Sequence, residues 1–218
     1  MIQNGILRVG IIGTGWIAEK AAITLNGLTE CEAYAVGSRT LEKALAFAKQ
    51  WNIARAYGSY GELISDPDID LMNFVRMFFP SNIINIESLC VKSKTGMDLT
   101  NAITLVLEDG MLCNLQSSAA CVGDNIGVIA GTEGNLIIDN INNPQKITVN
   151  GPNRTYIDTI HVPQQITGYE YQFLACREAL MEGLLEPREM PHDETLYIMQ
   201  IMDSLRQKWG VHYPMDDN

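Results

Sequence analysis

Leu7-Arg8-Val9-Gly10-Ile11-Ile12-Gly13-Thr14-Gly15-Trp16-Ile17-Ala18 decides how this chain is read. An apolar strand runs straight into G-x-G-x-x-A, and a helix-like segment from Ala18 to Asn26 follows at once. In that setting a glycine-rich turn reads as a dinucleotide site. Gly13 permits the tight turn off the strand, and Gly15, lacking a Cβ, lets the backbone approach a pyrophosphate. Ala18 stands where a third glycine often sits, small enough for the helix to pack on the strand. The amides around Thr14, Trp16 and Ile17 then face the phosphates, with the positive end of the helix dipole behind them. The competing reading is an ordinary strand–turn–helix that uses two glycines. Strand, turn and helix in the required order weigh against it.

The next strand sharpens this reading. Glu32-Ala33-Tyr34-Ala35-Val36-Gly37 ends in Ser38-Arg39-Thr40, about two dozen residues past Gly15. An acidic residue at this corner accepts from a ribose 2′-hydroxyl, whereas an Arg suits a 2′-phosphate. Ser38 and Thr40 add hydroxyl donors, and Arg39 offers a forked pair of charge-assisted bonds. With no carboxylate at the corner, NADP(H) is favoured over NAD(H). The alternative is a solvated Arg that opens the Thr40–Trp51 helix.

Composition narrows the partners. The chain has 218 residues, is 46% hydrophobic, and carries 15 basic against 26 acidic residues, for a formal charge of −11. That charge argues against nucleic-acid and anionic-membrane partners. No apolar run approaches a spanning length and no basic-plus-apolar leader is visible, so a cytoplasmic protein is expected. The cysteines (Cys31, Cys90, Cys113, Cys121 and Cys176) show no C-x-x-C spacing and read as reduced, mostly packed thiols. His161, His192 and His212 fall in no ligand spacing, so no metal site is expected.

The overall pattern is α/β: a partial Rossmann-type parallel sheet at the N-terminus, then an α+β domain with a mainly antiparallel sheet. Domain boundaries of 1–71 and 72–218 follow from it. Leu41 to Trp51 reads as a helix with Leu41, Leu45 and Ala48 on one face. Ala54 to Tyr57 is extended, Ser59 to Ile64 is a short helix, and Asp68-Ile69-Asp70-Leu71 begins a fourth strand. Leu71, Phe74, Val75, Phe78 and Phe79 then recur at helical spacing up to Pro80. From Ile83 the chain turns antiparallel. Leu99, Ile103, Leu105 and Leu107 alternate with Thr100, Ala102 and Thr104, and Glu108-Asp109-Gly110 makes a hairpin turn back into Met111–Ser118. A second pair of strands flanks Gly131-Thr132-Glu133-Gly134, and extended segments cover Lys146–Val149 and Thr155–Val162. Two helices close the chain. One carries a stripe of Phe173, Cys176, Leu180 and Leu184. The other carries Ile198, Ile201, Met202, Leu205 and Trp209, with Asp193 at its start and Gly210 at its end.

Taken together, these residues resemble the Gfo/Idh/MocA family of NAD(P)-dependent oxidoreductases, in its dihydrodiol- and xylose-dehydrogenase-like branch. The resemblance is carried by G-T-G-W-I-A (Gly13–Ala18), S-R-T (Ser38–Thr40), Tyr57-Gly58-Ser59-Tyr60-Gly61-Glu62-Leu63 and D-P-D-I-D (Asp66–Asp70). Further on it is carried by G-T-E-G (Gly131–Gly134), H-D-E-T (His192–Thr195), D-S-L-R-Q-K-W-G (Asp203–Gly210) and Tyr213-Pro214. It implies hydride transfer between a nicotinamide cofactor and a hydroxyl of a sugar, polyol or dihydrodiol. It also implies a homodimer or higher homo-oligomer formed through an open face of the C-terminal sheet.

The middle departs from the family. The T-P or N-P turn after D-x-D is missing, as are the E-K-P motif with its catalytic Lys and the later D-x-G-x-H/Y segment. Lys92 and Lys94, in V-K-S-K-T, match neither motif. A full dinucleotide domain built from βαβ units of ~30 residues needs roughly 150 residues, and about 70 precede the seam. Hydride transfer to or from a hydroxyl carbon needs a group that moves the hydroxyl proton. No catalytic residue is therefore assigned. The alternative function is a shortened, inactive relative that acts as a dinucleotide-binding or dimerisation module.

Overall fold

A computed structural model describes residues 2–59, 81–141 and 143–212. The expected Ser59–Ile64 helix, the fourth strand, the Leu71–Phe79 stripe and most of the Tyr57–Leu63, Asp66–Asp70 and Tyr213-Pro214 motifs lie outside these residues. The chain divides into two compact units. The first comprises 1–73, 145–147 and 159–191, and the second 74–144, 148–158 and 192–218, so the dividing line crosses two strands of the C-terminal half.

The first unit is built on a sheet of order β1-β2-β3-β4 (Ile2–Gln3, Ile6–Ile12, Cys31–Gly37 and Arg55–Tyr57). Asn4 and Gly5, both at positive φ, fold β1 back onto β2 in an antiparallel hairpin. β2–β3 and β3–β4 are parallel, connected through α1 (Trp16–Gly27) and α2 (Leu41–Trp51). Ala18, Ala22 and Leu25, spaced for one helical face, bury α1 against Leu7, Ile11, Ala33 and Val36.

α2 occupies the expected range but turns a different face inward. Ala44, Phe47 and Ala48 are buried, while Leu41 and Leu45 are exposed. α3 (Glu170–Met181) also belongs to this unit. Phe173, Leu174 and Cys176 pack against the same core, and Arg177 Nε donates to the Gly5 carbonyl at 2.8 Å. The expected stripe on α3 is thus correct at Phe173 and Cys176. Leu180 is instead exposed and Leu184 lies beyond the helix.

The buried Glu170 carboxylate fastens the start of α3 by accepting amide hydrogen bonds from Ile166 (2.6 Å), Thr167 (3.1 Å) and Gly168 (2.8 Å). Burial by itself raises the acidity constant of such a carboxyl. The accepted amide bonds outweigh it, and Glu170 titrates below the ordinary carboxylate value. Beside it, the Thr24 and Thr167 hydroxyls are in contact, and Thr24 Oγ1 also donates to the Lys20 carbonyl at 2.8 Å. At the sheet, burial pushes the Cys31 thiol up to about 11.

The second unit contains an antiparallel sheet β5-β6-β7 (Ile83–Lys92, Asp98–Leu107 and Leu112–Ser118). The turn after Leu107 forms where expected, with the Gly110 amide bonded to the Leu107 carbonyl. Leu105 and Leu107 are buried. α4 (His192–Trp209) lies along β5. Trp209 Nε1 donates to Ser88 Oγ at 3.0 Å, the Ile83 amide donates to Tyr197 Oη at 3.2 Å, and Lys92 Nζ donates to the Gly210 carbonyl at 3.1 Å. Gly210, at positive φ, follows the end of α4, and Asp193 falls inside its first turn. Leu205 is the buried member of its expected stripe, and Met202 is exposed.

A further sheet has the order β11-β10-β9-β8 (Tyr156–His161, Lys146–Asn150, Asn135–Ile138 and Gly127–Ala130). The β8–β9 hairpin turns through Gly131–Gly134 as expected. Gly134 has a strict packing reason: a Cβ there would stand 2.0 Å from the Asn150 carbonyl oxygen.

Candidate functional site

Residues 13–18 follow the carboxyl end of β2, and residues 38–40 follow that of the neighbouring parallel strand β3. The Gly13 amide donates to the Gly37 carbonyl at 2.8 Å, which ties the two segments together. The Ser38 amide donates to the Tyr57 carbonyl at 3.1 Å, so β4 braces the second corner. The nine expected residues thus gather at one edge of one sheet, the edge where open α/β sheets receive ligands.

The two glycines have different reasons for being glycine. Gly13 sits at φ +97°, a left-handed conformation that L side chains rarely adopt. Gly15 is extended (φ −91°, ψ −173°), a conformation open to any residue, and a Cβ on it would meet no protein atom within 4 Å. Neither torsion nor packing within the described residues demands a glycine there. A group approaching from outside the chain does, which is the cradle that a pyrophosphate fits.

The helix end behind Gly15 is prepared for an acceptor as well. Gly15 is the N-cap of α1 and no side chain caps that end. Its first-turn amides therefore lack the side-chain acceptor that most helices supply. Ala18 is buried against the strand, as its place in the motif requires, while Trp16 and Ile17 are exposed.

At the second corner Ser38 is buried and Arg39 and Thr40 are exposed. Thr40 is the N-cap of α2, yet its hydroxyl makes no capping bond. Both side chains are thus available to a ligand. The bracing carbonyl of Tyr57 and the neighbouring Lys20 were not singled out from sequence. Tyr57 was at least visible as part of the Y-G-S run.

Lys92 and Lys94 lie in the second unit, and Lys92 is engaged with the end of α4. Among the described residues no group of His, Cys, Asp and Glu is placed to hold a metal ion. None of the described helices is long and apolar enough to cross a membrane.

Residues 7–75 match the family model GFO_IDH_MocA, described as an oxidoreductase family with an NAD-binding Rossmann fold. Trans-1,2-dihydrobenzene-1,2-diol dehydrogenase of Danio rerio is 28% identical over 192 residues, covering 84% of this chain and 57% of that protein. The chain spans between 20% and 57% of the length of the first curated relatives it matches. Among solved structures, the aldose–aldose oxidoreductase of Caulobacter crescentus aligns with a TM-score of 0.73 at 13% identity, covering 93% of this chain and 97% of that one. The 3-ketoreductase KijD10 of Actinomadura kijaniata, in complex with TDP-benzene and NADP, aligns with a TM-score of 0.66 at 13% identity, covering 87% and 93%. At that identity the two structures establish a common fold.

Proposed function

For a chain that belongs to the Gfo/Idh/MocA oxidoreductase family, we propose NADP(H) binding at the edge of the first unit's sheet and hydride transfer on a sugar-like hydroxyl. The observation that carries this reading is Gly15, a glycine that only an external group requires. The uncapped first turn of α1 and the backbone of Gly13–Ala18 hold the pyrophosphate through amide donors and the helix dipole. Ser38, Arg39 and Thr40 receive the adenosine 2′-phosphate. Arg39 supplies a planar fork of N–H groups, and Ser38 and Thr40 supply hydroxyls. When bound, the nicotinamide cofactor accepts or donates the hydride. This chain's own residues bind and orient it, and no proton-transfer role is given to any of them.

The substrate class is a hydroxyl of a sugar, polyol or dihydrodiol, in keeping with the names of the relatives. A cytoplasmic setting is part of the same reading, as is the absence of nucleic-acid and membrane partners. The test is a fluorescence titration with NADPH, with NADH run alongside. Saturable NADPH binding, weakened roughly tenfold or more in Arg39→Ala, supports the site, since one charge-assisted bond contributes about 1.5–3 kcal/mol. Absence of binding by either nucleotide overturns it. Turnover of sugars or dihydrodiols with NADP then tests the reaction.

A second reading is favoured by the β5-β6-β7 sheet. The face turned away from α4 exposes Leu89, Val91 and Leu112 beside Thr100, Ala102 and Thr104. On this reading the chain is a dinucleotide-binding or dimerisation module without turnover, paired with its twin through that face. NADPH binding and a dimer by light scattering, without turnover of any sugar, polyol or dihydrodiol, select it.

A further inference from the structure

Two side chains beside the glycine turn contribute little to the packing of the fold. Trp16, the first residue of α1, is 66% exposed. Lys20, one turn later, places its ammonium nitrogen 5.8 Å from the centroid of the Trp16 ring. The buried positions of α1 are Ala18, Ala22, Thr24 and Leu25, and Trp16 and Lys20 share a different face. Among the described residues no carboxylate forms an ion pair with Lys20, although Glu19 sits next to it in the first turn.

Direction matters here. Long side chains on a helix lean toward its N-terminus, so Lys20 reaches back to the level of Trp16 and of the uncapped amides behind Gly15. The result is a flat aromatic face with a cation held over it, beside an end of a helix prepared for an anion. We propose that Trp16 and Lys20 together seat the diphosphate and nicotinamide half of the dinucleotide, and so determine preference for the whole dinucleotide over its adenosine half. The inference rests on the NADP(H) reading above and divides the labour within it. Arg39 holds the adenosine end, and the Trp16–Lys20 pair holds the other.

Chemistry supports the division. A chain of formal charge −11 needs local cations to accept a polyphosphate. Lys20 supplies one at the diphosphate and offsets Glu19. An indole offers a broad stacking surface for an aromatic ring and strengthens its hold on the ammonium when water is excluded.

The test titrates the full chain with NADPH and with 2′,5′-ADP, which keeps the 2′-phosphate but lacks the diphosphate bridge and the nicotinamide. Trp16→Ala and Lys20→Gln are each expected to weaken NADPH roughly tenfold, the order of one charge-assisted contact, while 2′,5′-ADP affinity stays unchanged. Lys20→Arg restores NADPH affinity, and the Lys20→Gln loss shrinks as salt is raised. Arg39→Ala weakens both ligands. Thermal melts of the Trp16 and Lys20 variants confirm that the exposed substitutions leave the fold intact. Equal losses for both ligands, or undiminished NADPH binding, overturn the pair's role while leaving the site itself standing. Failure of the unmodified chain to bind either ligand overturns the underlying reading instead.

Discussion

The first unit buries Leu7, Ile11, Ala22, Leu25, Val36 and Phe47 in one cluster roofed by parts of three helices. The second, although richer in strands, buries Leu105, Leu107, Ile138, Leu205 and Val211 and leaves Ile84, Leu89, Val91 and Leu112 in solvent. Parallel strands need cover on both faces, and helices supply it in the first unit. An antiparallel sheet can leave one face open, and β5-β6-β7 does so. The difference teaches where each unit stores its capacity to bind. The first unit holds its ligand at a sheet edge, with a rigid core behind. The second holds its unsatisfied apolar surface on a sheet face, which suits a broad partner rather than a small molecule.

The comparison breaks most sharply at Gly134. Gly134→Ala forces a methyl onto the Asn150 carbonyl and is expected to destabilise the second unit by roughly 3 kcal/mol, the upper range for overpacking. Urea unfolding checks this, with NADPH affinity as the reporter of the first unit. Unchanged affinity alongside a lowered midpoint confirms that the two units carry separate tasks.

Next comes Glu170→Gln, which removes the charge that three amides of the first unit share. A loss of about 2 kcal/mol is expected near neutral pH. The sign with pH follows from the lowered titration of Glu170 in the folded chain. Its contribution is fully present above the ordinary carboxylate range and is lost as pH falls through the folded value. Melting temperatures of wild type and Glu170→Gln should therefore converge on acidification, and a constant gap would refute the capping role.

Arg39→Ala ranks third. A loss of about 1.4 kcal/mol in NADPH binding, tenfold in affinity, is expected with little change in NADH binding. A similar loss for both nucleotides would show that the corner does not select the 2′-phosphate. Leu89→Glu has the smallest intrinsic effect. The chain's own stability should shift by no more than about 0.5 kcal/mol, while any self-association seen by light scattering disappears. A wild-type chain that stays monomeric at micromolar concentration removes the twin from the reading.

Much of the first unit could be read directly from sequence, because each element there is marked by local chemistry. The strand before Gly13, the turn, α1, β3 and α2 all occupy their expected places. The face of α2 could not be read from leucines alone. Phe47 supplies the bulk, and Ala44 and Ala48 let the helix lie close, so Leu41 and Leu45 are left outside.

The hairpin at Asn4-Gly5 carried a readable signal that was overlooked, as did Thr167-Gly168-Tyr169-Glu170, a T-x-x-E pattern at a helix start. What sequence could not supply was the docking of α3 on the first unit's core. That contact links Cys31 to Phe173 and Gly5 to Arg177 across most of the chain, and no local pattern encodes it. For the site, motif position named the turn, but only geometry separated Gly13, required by its own backbone, from Gly15, required by what approaches it.

The first unit's three-segment construction sets the order of events during synthesis. Its opening strands leave the ribosome early, but residues 159–191, which complete the unit, emerge after the intervening 74–144 and 148–158 have been made. At about 5–20 residues per second the half-roofed sheet waits several seconds for α3. During that interval the contacts that close the unit have the longest sequence separation in it, which makes them slow to form. The nascent chain therefore passes through a stage in which Cys31 and Leu7 are unsheltered, and chaperone demand should peak just before Glu170 leaves the exit tunnel.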